Sequence, residues 1–268
     1  MSRATRLSLA VLGGIALIAC VGPWLSPWSV EQLDWSRMGT APALAAAHWF
    51  GTDRLGRDLF VRTLSGVRVS LAIGLAATLV SVVIGVSWGA AAGYLGGRIE
   101  ALLMRIVDVL YSLPYVFFVI LLTVSFGGGP VTVFLAIGAV GWLTVARVVC
   151  GQAHSLRHRE FIEAAIASGV ATPTILWRHV LPNVAGPVLA YAALTVPSLI
   201  VLESFLAFLG LGVAEPRASL GNLLAQGAAE MEVAPWMLLA PCAFLVVIVL
   251  ALGVLGDALR DALDPHGR

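Results

Sequence analysis

Apolar residues run along the chain in long blocks, and most charged residues fall in the gaps between them. A helix needs about 20 such residues to cross a hydrocarbon core of ~30 Å. The pattern predicts six spans, near 7–25, 68–93, 101–126, 130–151, 184–207 and 236–257. The gaps then leave two sizeable segments on one side, 26–67 and 208–235, and one on the other, 152–183.

The segment 152–183 has its own order. Residues 160–168, EFIEAAIAS, favour helix, with Phe161, Ala164, Ala165 and Ser168 recurring on one face at i, i+3, i+4 and i+7. Gly169 follows, where the backbone can turn or another surface can come close. In TPTILW, Thr172 suits an N-cap and Pro173 the first helical position, where its missing N–H costs nothing. The second short helix is expected to run to about Val180 and stop before Pro182. Two short helices hinged at a glycine fit either a solvated connector or a docking surface for another protein.

Composition strengthens the membrane reading. Hydrophobic residues make up 59% of 268 and charged residues 12%, with mean hydropathy +0.95, against roughly 45–50% apolar usage in soluble domains. The net charge of +1 gives no sign of nucleic-acid binding. All 16 basic residues are Arg. Without Lys there is no phosphate-binding loop of the GxxxxGK[ST] kind, so any ATP used must be hydrolysed by another chain. Cys20, Cys150 and Cys242 are far apart and read as small core hydrophobes. Arg3 and Arg6 before Leu17–Cys20 resemble a lipoprotein signal, but five further spans favour an uncleaved first helix.

With six spans both termini share a side, and the positive-inside rule places them in the cytoplasm. Of the 16 arginines, Arg37, Arg54, Arg57, Arg62, Arg68 and Arg217 fall outside and the rest inside. Trp24, Trp28, Trp49 and Trp236 then sit near the outer interface, and 152–183 is cytoplasmic.

Glu163-Ala164-Ala165, Gly169 and Leu181-Pro182 resemble the EAA loop of permease subunits in binding-protein-dependent ATP-binding-cassette (ABC) importers. The broad pattern often has Ile at the position of His179, whereas RHVLPN (Arg178–Asn183) looks like the oligopeptide, dipeptide and nickel branch. His48–Leu71, Phe205–Val213 and Leu255–Pro265 are similar to the C-type subunit of that branch, and Leu194–Pro216 looks closer to its oligopeptide members.

The resemblance implies an all-α integral membrane fold, a type I ABC importer transmembrane domain with a cytoplasmic coupling-helix loop. Its expected layout is an N-terminal helix with a periplasmic segment (1–67), a permease core (68–258) holding the EAA loop (152–183), and a cytoplasmic tail (259–268). ATPase coupling would fall to Glu163, Ala164, Ala165, Gly169, Thr172, Pro173, His179, Leu181 and Pro182. The implied partners are a second homologous permease forming a heterodimer, two cytoplasmic ATPase subunits carrying MgATP, and a substrate-binding protein, all at the bacterial inner membrane. This chain would bind no cofactor and catalyse no reaction. The implied cargo is peptide, with nickel or a metal chelate as the alternative.

Several residues lie outside that pattern. Glu203 is a carboxylate inside the fifth span, a candidate for the translocation path or for a contact with a partner permease. Asp108 is expected to pair with Arg105 on its own helix rather than with Arg147 on the next span. Residues 48–58 combine Asp53, Arg54, Arg57 and Asp58 with two glycines. They fit either a turn-rich scaffold cap or a contact for the binding protein. Gly127–Pro130 reads as a tight outer turn, and Leu209–Gly212 ends the fifth span. His154 and His158 have helical ligand spacing but no third ligand nearby, and read as loop residues rather than metal ligands. An intramembrane hydrolase would need a His or carboxylate beside a buried nucleophile, yet every His falls in a predicted loop or tail. A self-sufficient ion-coupled carrier would need paired ionisable residues in broken helices, and mid-span acids other than Glu203 are scarce. No ring of His, Cys or Met suggests a metal path.

Overall fold

The computed structural model describes residues 2–43, 48–127, 129–213 and 215–263. The described residues form a helical bundle. In chain order its elements are α1 (Arg3–Leu25), α2 (Leu59–Leu95), α3 (Gly97–Ser112), α4 (Tyr115–Ser125), α5 (Pro130–Arg157), α6 (Glu160–Ala167), α7 (Thr172–Ile175), a π-helical turn (Leu176–Val180), α8 (Leu181–Phe208), α9 (Leu220–Ala229) and α10 (Trp236–Leu263). Five helical runs are long and apolar enough to cross a membrane: α1, α2, α5, Thr172–Phe208 and α10; α3 with α4 supplies a sixth if the bent pair counts as one span.

Three expectations change. The span expected as one helix over 101–126 is broken, with α3 and α4 meeting at 86°. Pro114 is the cause: it has no N–H to donate and disfavours helical geometry at Leu113, which adopts ψ 141°. The second short helix does not stop before Pro182; it runs on into α8. The ladder widens just ahead of the proline, where the Leu181 N–H donates to the Leu176 carbonyl five residues back, a π-type turn that accommodates the missing donor. The cap also shifts by one residue, to Ala171, with Thr172 as the first helical residue and no side-chain capping bond.

The outer segments are less separate than expected. α2 starts at Leu59, capped by the Asp58 side chain, so the boundary expected at 67/68 lies within this helix. At 37 residues it is about 55 Å long by its rise per residue, well over the ~30 Å core, and it carries the bundle into the turns of residues 48–58. α10 runs through Leu263 and covers the start of the expected tail; residues 264–268 lie outside the described residues, as does Gly128 of the expected turn at 127–130.

The central seam joins α2 and α5, the most extensively packed pair. Gly85, Gly89 and Gly93 recur every fourth residue on the side of α2 that meets α5. A β-carbon at Gly85 would strike Val145, and at Gly89 and Gly93 the carbonyls of Ala146 and Cys150. Small residues at this spacing let helices approach closely where lipid supplies no hydrophobic drive between them. Around the seam lie one cluster with Ile73, Val107, Ile137 and Leu206 and another, nearer α6, with Tyr94, Val149, Ile162 and Val180.

Candidate functional site

At the α6 end of the bundle, Glu160–Ala167 forms a two-turn helix whose Ile162 is fully buried against the α5 and π-turn region. Its opposite face is bare. Phe161, Glu163, Ala164 and Ser168 are exposed and Ala165 half-buried. Gly169 closes the helix with φ +75°. Its N–H donates to the Ile166 carbonyl and that of Val170 to the Ala165 carbonyl, the paired bonds of a left-handed glycine cap. A β-carbon at Gly169 would meet nothing within 4 Å, so its backbone angle, not crowding within the chain, calls for glycine. Thr172, Pro173 and Pro182 are exposed, His179 and Leu181 partly so, and the Phe161 and His179 rings lie 6.2 Å apart. The expected coupling residues thus form one surface, anchored from below by Ile162, Ile175 and Val180.

At the other end, residues 48–58 fold into turns bridged to Leu33, Ala43 and one another. His48 is fully buried. Its Nδ1 lies 2.8 Å from Asp58 Oδ2, and its ring stacks on Trp28 at 4.4 Å. Trp28, expected in an interfacial belt, serves this cluster. Asp53 accepts from the Leu55 and Arg57 backbone N–H groups and from Arg57 Nε at 2.6 Å. The two remaining Arg57 nitrogens donate to Glu215 at 3.1 and 3.3 Å, Gln226 donates to Glu215 at 2.7 Å, and Arg54 pairs with Glu230 at 3.0 Å. The network clamps the first outer segment to the second. Burial pushes the Asp58 carboxyl up, while the Arg57 guanidinium pulls Glu215 down. Of the four residues considered for binding-protein contact, Asp53, Arg57 and Asp58 are buried in this clamp, and the Arg54 side chain is largely exposed.

Between the two ends, at the α3/α4 break, lies a cavity of about 320 Å³ among α3, α4, α5 and α8. Tyr111, Tyr115, Thr144, Tyr191, Thr195 and Ser198 line it together with aliphatic side chains and no charged group. Glu203 does not reach it. This carboxylate is fully buried and faces α2 and α9, accepting from Ser70 Oγ at 2.8 Å. Ser70 Oγ in turn accepts from the Leu220 N–H at 3.1 Å. Asp108 pairs with Arg147 at 2.9 Å, not with Arg105 as expected. The Arg147 guanidinium lies over the Tyr111 ring, 4.6 Å from its centre, and this cation–π contact holds it within reach of Asp108. His154, expected in a loop, is in the last turn of α5 and meets Glu100 at 3.0 Å.

Sequence reasoning missed Trp28, Glu215, Gln226 and the glycine seam. Only the seam left a signal, its four-residue spacing; the others are joined across long sequence separations.

Comparison with known proteins places these sites in context. Residues 81–268 match the family described as "Binding-protein-dependent transport system inner membrane component". The chain is 49% identical to the oligopeptide transport system permease protein OppC of Haemophilus influenzae over 267 residues, covering 100% of this chain and 86% of that protein. It is 51% identical to OppC of Escherichia coli K12, covering 100% and 88%, and 43% identical to the dipeptide transport system permease protein DppC of Bacillus subtilis, covering 97% and 81%. Among solved structures, a chain of the MetNI methionine ABC transporter in an inward facing conformation superposes with a TM-score of 0.61 at 18% identity, covering 76% of this chain and 96% of that one. This likeness bears on the fold.

Proposed function

Because the chain belongs to the family of binding-protein-dependent transport system inner membrane components, we propose that it forms one half of the translocation path of a peptide importer driven by separate ATPase subunits. The observation that carries this reading is identity near 50% across the whole chain to oligopeptide permeases. A second permease would complete the path, two ATPases carrying MgATP would dock on the α6 surface, and a binding protein would deliver peptide to the opposite face. The excess of arginine at the α6 end supports cytoplasmic termini in a bacterial inner membrane.

Coupling needs no chemistry in this chain. ATP-driven movement of the partner would shift α6, and the shared core of α6, α5 and the π turn would transmit it to α5 and α8, which wall the cavity. That requires only different contact free energies in the two states. Glu163, Ala164, Ala165 and Gly169 would be the docking contacts, with Thr172, Pro173, His179, Leu181 and Pro182 shaping the surface behind them. For Glu203, its place between Ser70 and α9 supports a role in holding α9 to the bundle.

Reconstituting the chain with its partner subunits in vesicles tests the reading, with ATP hydrolysis and uptake measured for binding protein loaded with short peptides or with a nickel chelate. Peptide-stimulated hydrolysis with uptake is expected. Stimulation by the chelate alone would overturn the peptide assignment, and uptake without the ATPases would overturn the importer assignment.

A further inference from the structure

The cavity at the α3/α4 break has no charge in its wall and one ion pair at its edge. Arg147 lies one turn beyond Thr144 on α5, and Tyr111, which Arg147 covers, is itself part of the lining. The Asp108 and Arg147 side chains are 61% and 47% exposed, although α5 is long and apolar enough to cross a membrane and α3 belongs to the bent pair that could supply a sixth span. Charges facing lipid are costly, and so is interrupted backbone such as that at Leu113–Pro114. Both are tolerated if this side of the bundle faces a water-filled space. A wet mouth of the cavity at this pair would meet both demands.

We infer that Arg147 exchanges Asp108 for the terminal carboxylate of a short peptide whose main chain lies along the hydroxyl-lined wall. This rests on the peptide-importer reading and adds the group of the cargo that is recognised. Arginine binds carboxylates through paired, charge-assisted hydrogen bonds. Asp108 holds Arg147 through a single contact, so a terminal carboxylate that takes two guanidinium nitrogens gains one charge-assisted bond in the exchange. Hydroxyls both donate and accept, so the wall serves peptide amides while leaving side chains unread. Asp108 is then an internal competitor that keeps the hold weak, as a path that must release its cargo requires.

The test uses the complete importer complex in a background lacking Cys20, Cys150 and Cys242, with Ser198→Cys placed in the cavity wall. The labelling rate of that thiol by a maleimide is measured with trialanine or trialanine amide present. Trialanine should protect at a concentration roughly tenfold lower than the amide, the effect of one charge-assisted contact. Arg147→Gln should abolish that difference by weakening the acid, and Asp108→Asn should move the acid the other way, to tighter protection. A structural latch would be weakened alike by both variants. The inference falls if acid and amide protect equally, if neither protects, or if the two variants shift protection in the same direction. Failure of the peptide reading itself would appear separately, as absent peptide uptake by the wild-type complex.

Discussion

At the end of the bundle where α2 begins, Asp53, Arg57, Glu215 and Gln226 satisfy one another across more than 150 residues of chain. At the opposite end Arg159, Glu160, Glu163 and Arg178 have no ion-pair partner among the described residues and stand in the open. Both ends looked alike as polar interruptions of an apolar pattern. The first turns its charges inward and completes a fold. The second turns them outward over an apolar underside, the arrangement that the proposed docking surface needs.

The contrast is most exposed to mutation at Arg57. Arg57→Ala leaves the buried Asp53 carboxylate without its main partner and should cost about 3 kcal/mol, read as a clear drop in the thermal midpoint of the purified complex. A midpoint unchanged by this variant would mean the outer clamp is ornamental. Gly169→Pro should do the reverse. Proline cannot adopt φ +75°, so uptake should fall about tenfold, the equivalent of ~1.4 kcal/mol of coupling, while the midpoint should fall less than for Arg57→Ala, because the lost Gly169 N–H bond to Ile166 lies in an exposed turn. Loss of stability without loss of uptake would contradict that division.

Glu163→Arg is a milder probe of the same surface. A charge reversal at an exposed contact should weaken ATPase association by about 1 kcal/mol, measured by co-purification in graded salt, with the outer clamp unaffected. The smallest expected effect is that of pH. Glu215 is held below its ordinary value of 4.5 by Arg57, so its stabilising contribution is present above that value and fades as pH falls through the lowered one. Asp58, raised above 3.8 by burial, runs the other way: its contribution is present below 3.8 and fades as pH rises through the raised value. Half-exposure of Glu215 limits its share to under about 1 kcal/mol. Glu215→Gln should therefore flatten the acid limb of the stability profile.

Much of the membrane architecture was legible beforehand. Long apolar blocks can satisfy their backbone in lipid only as helices, so the spans followed from block length. Composition could not reveal the break in the third block, because Val, Phe, Ile and Leu flank Pro114 on one side and amphipathic helix on the other; the bend depends on what faces the gap. Pro182 misled in the opposite sense. A proline within helical pattern allows a stop or a widened turn, and packing of Ile175, Val180 and Val184 in one cluster favours continuity. For the α6 surface, the helical spacing of Phe161, Ala164, Ala165 and Ser168 and the glycine after them were legible because short-range geometry sets which residues share a face; the coupling role expected there came from the family resemblance.

Pairings such as Arg57 with Glu215, His48 with Trp28 and Arg147 with Asp108 were of another kind. For Asp108 a local alternative existed in Arg105, and the pattern favoured that nearer partner. The order of the apolar blocks, the position of the polar surface and its small-residue face are written in the chain, because each depends on residues within a turn or a span of one another. Which charges are buried, which stay open, and where a cavity forms were decided only by folding, because a charge in or beside a membrane takes the partner that tertiary packing brings within hydrogen-bond reach, whatever its distance along the sequence.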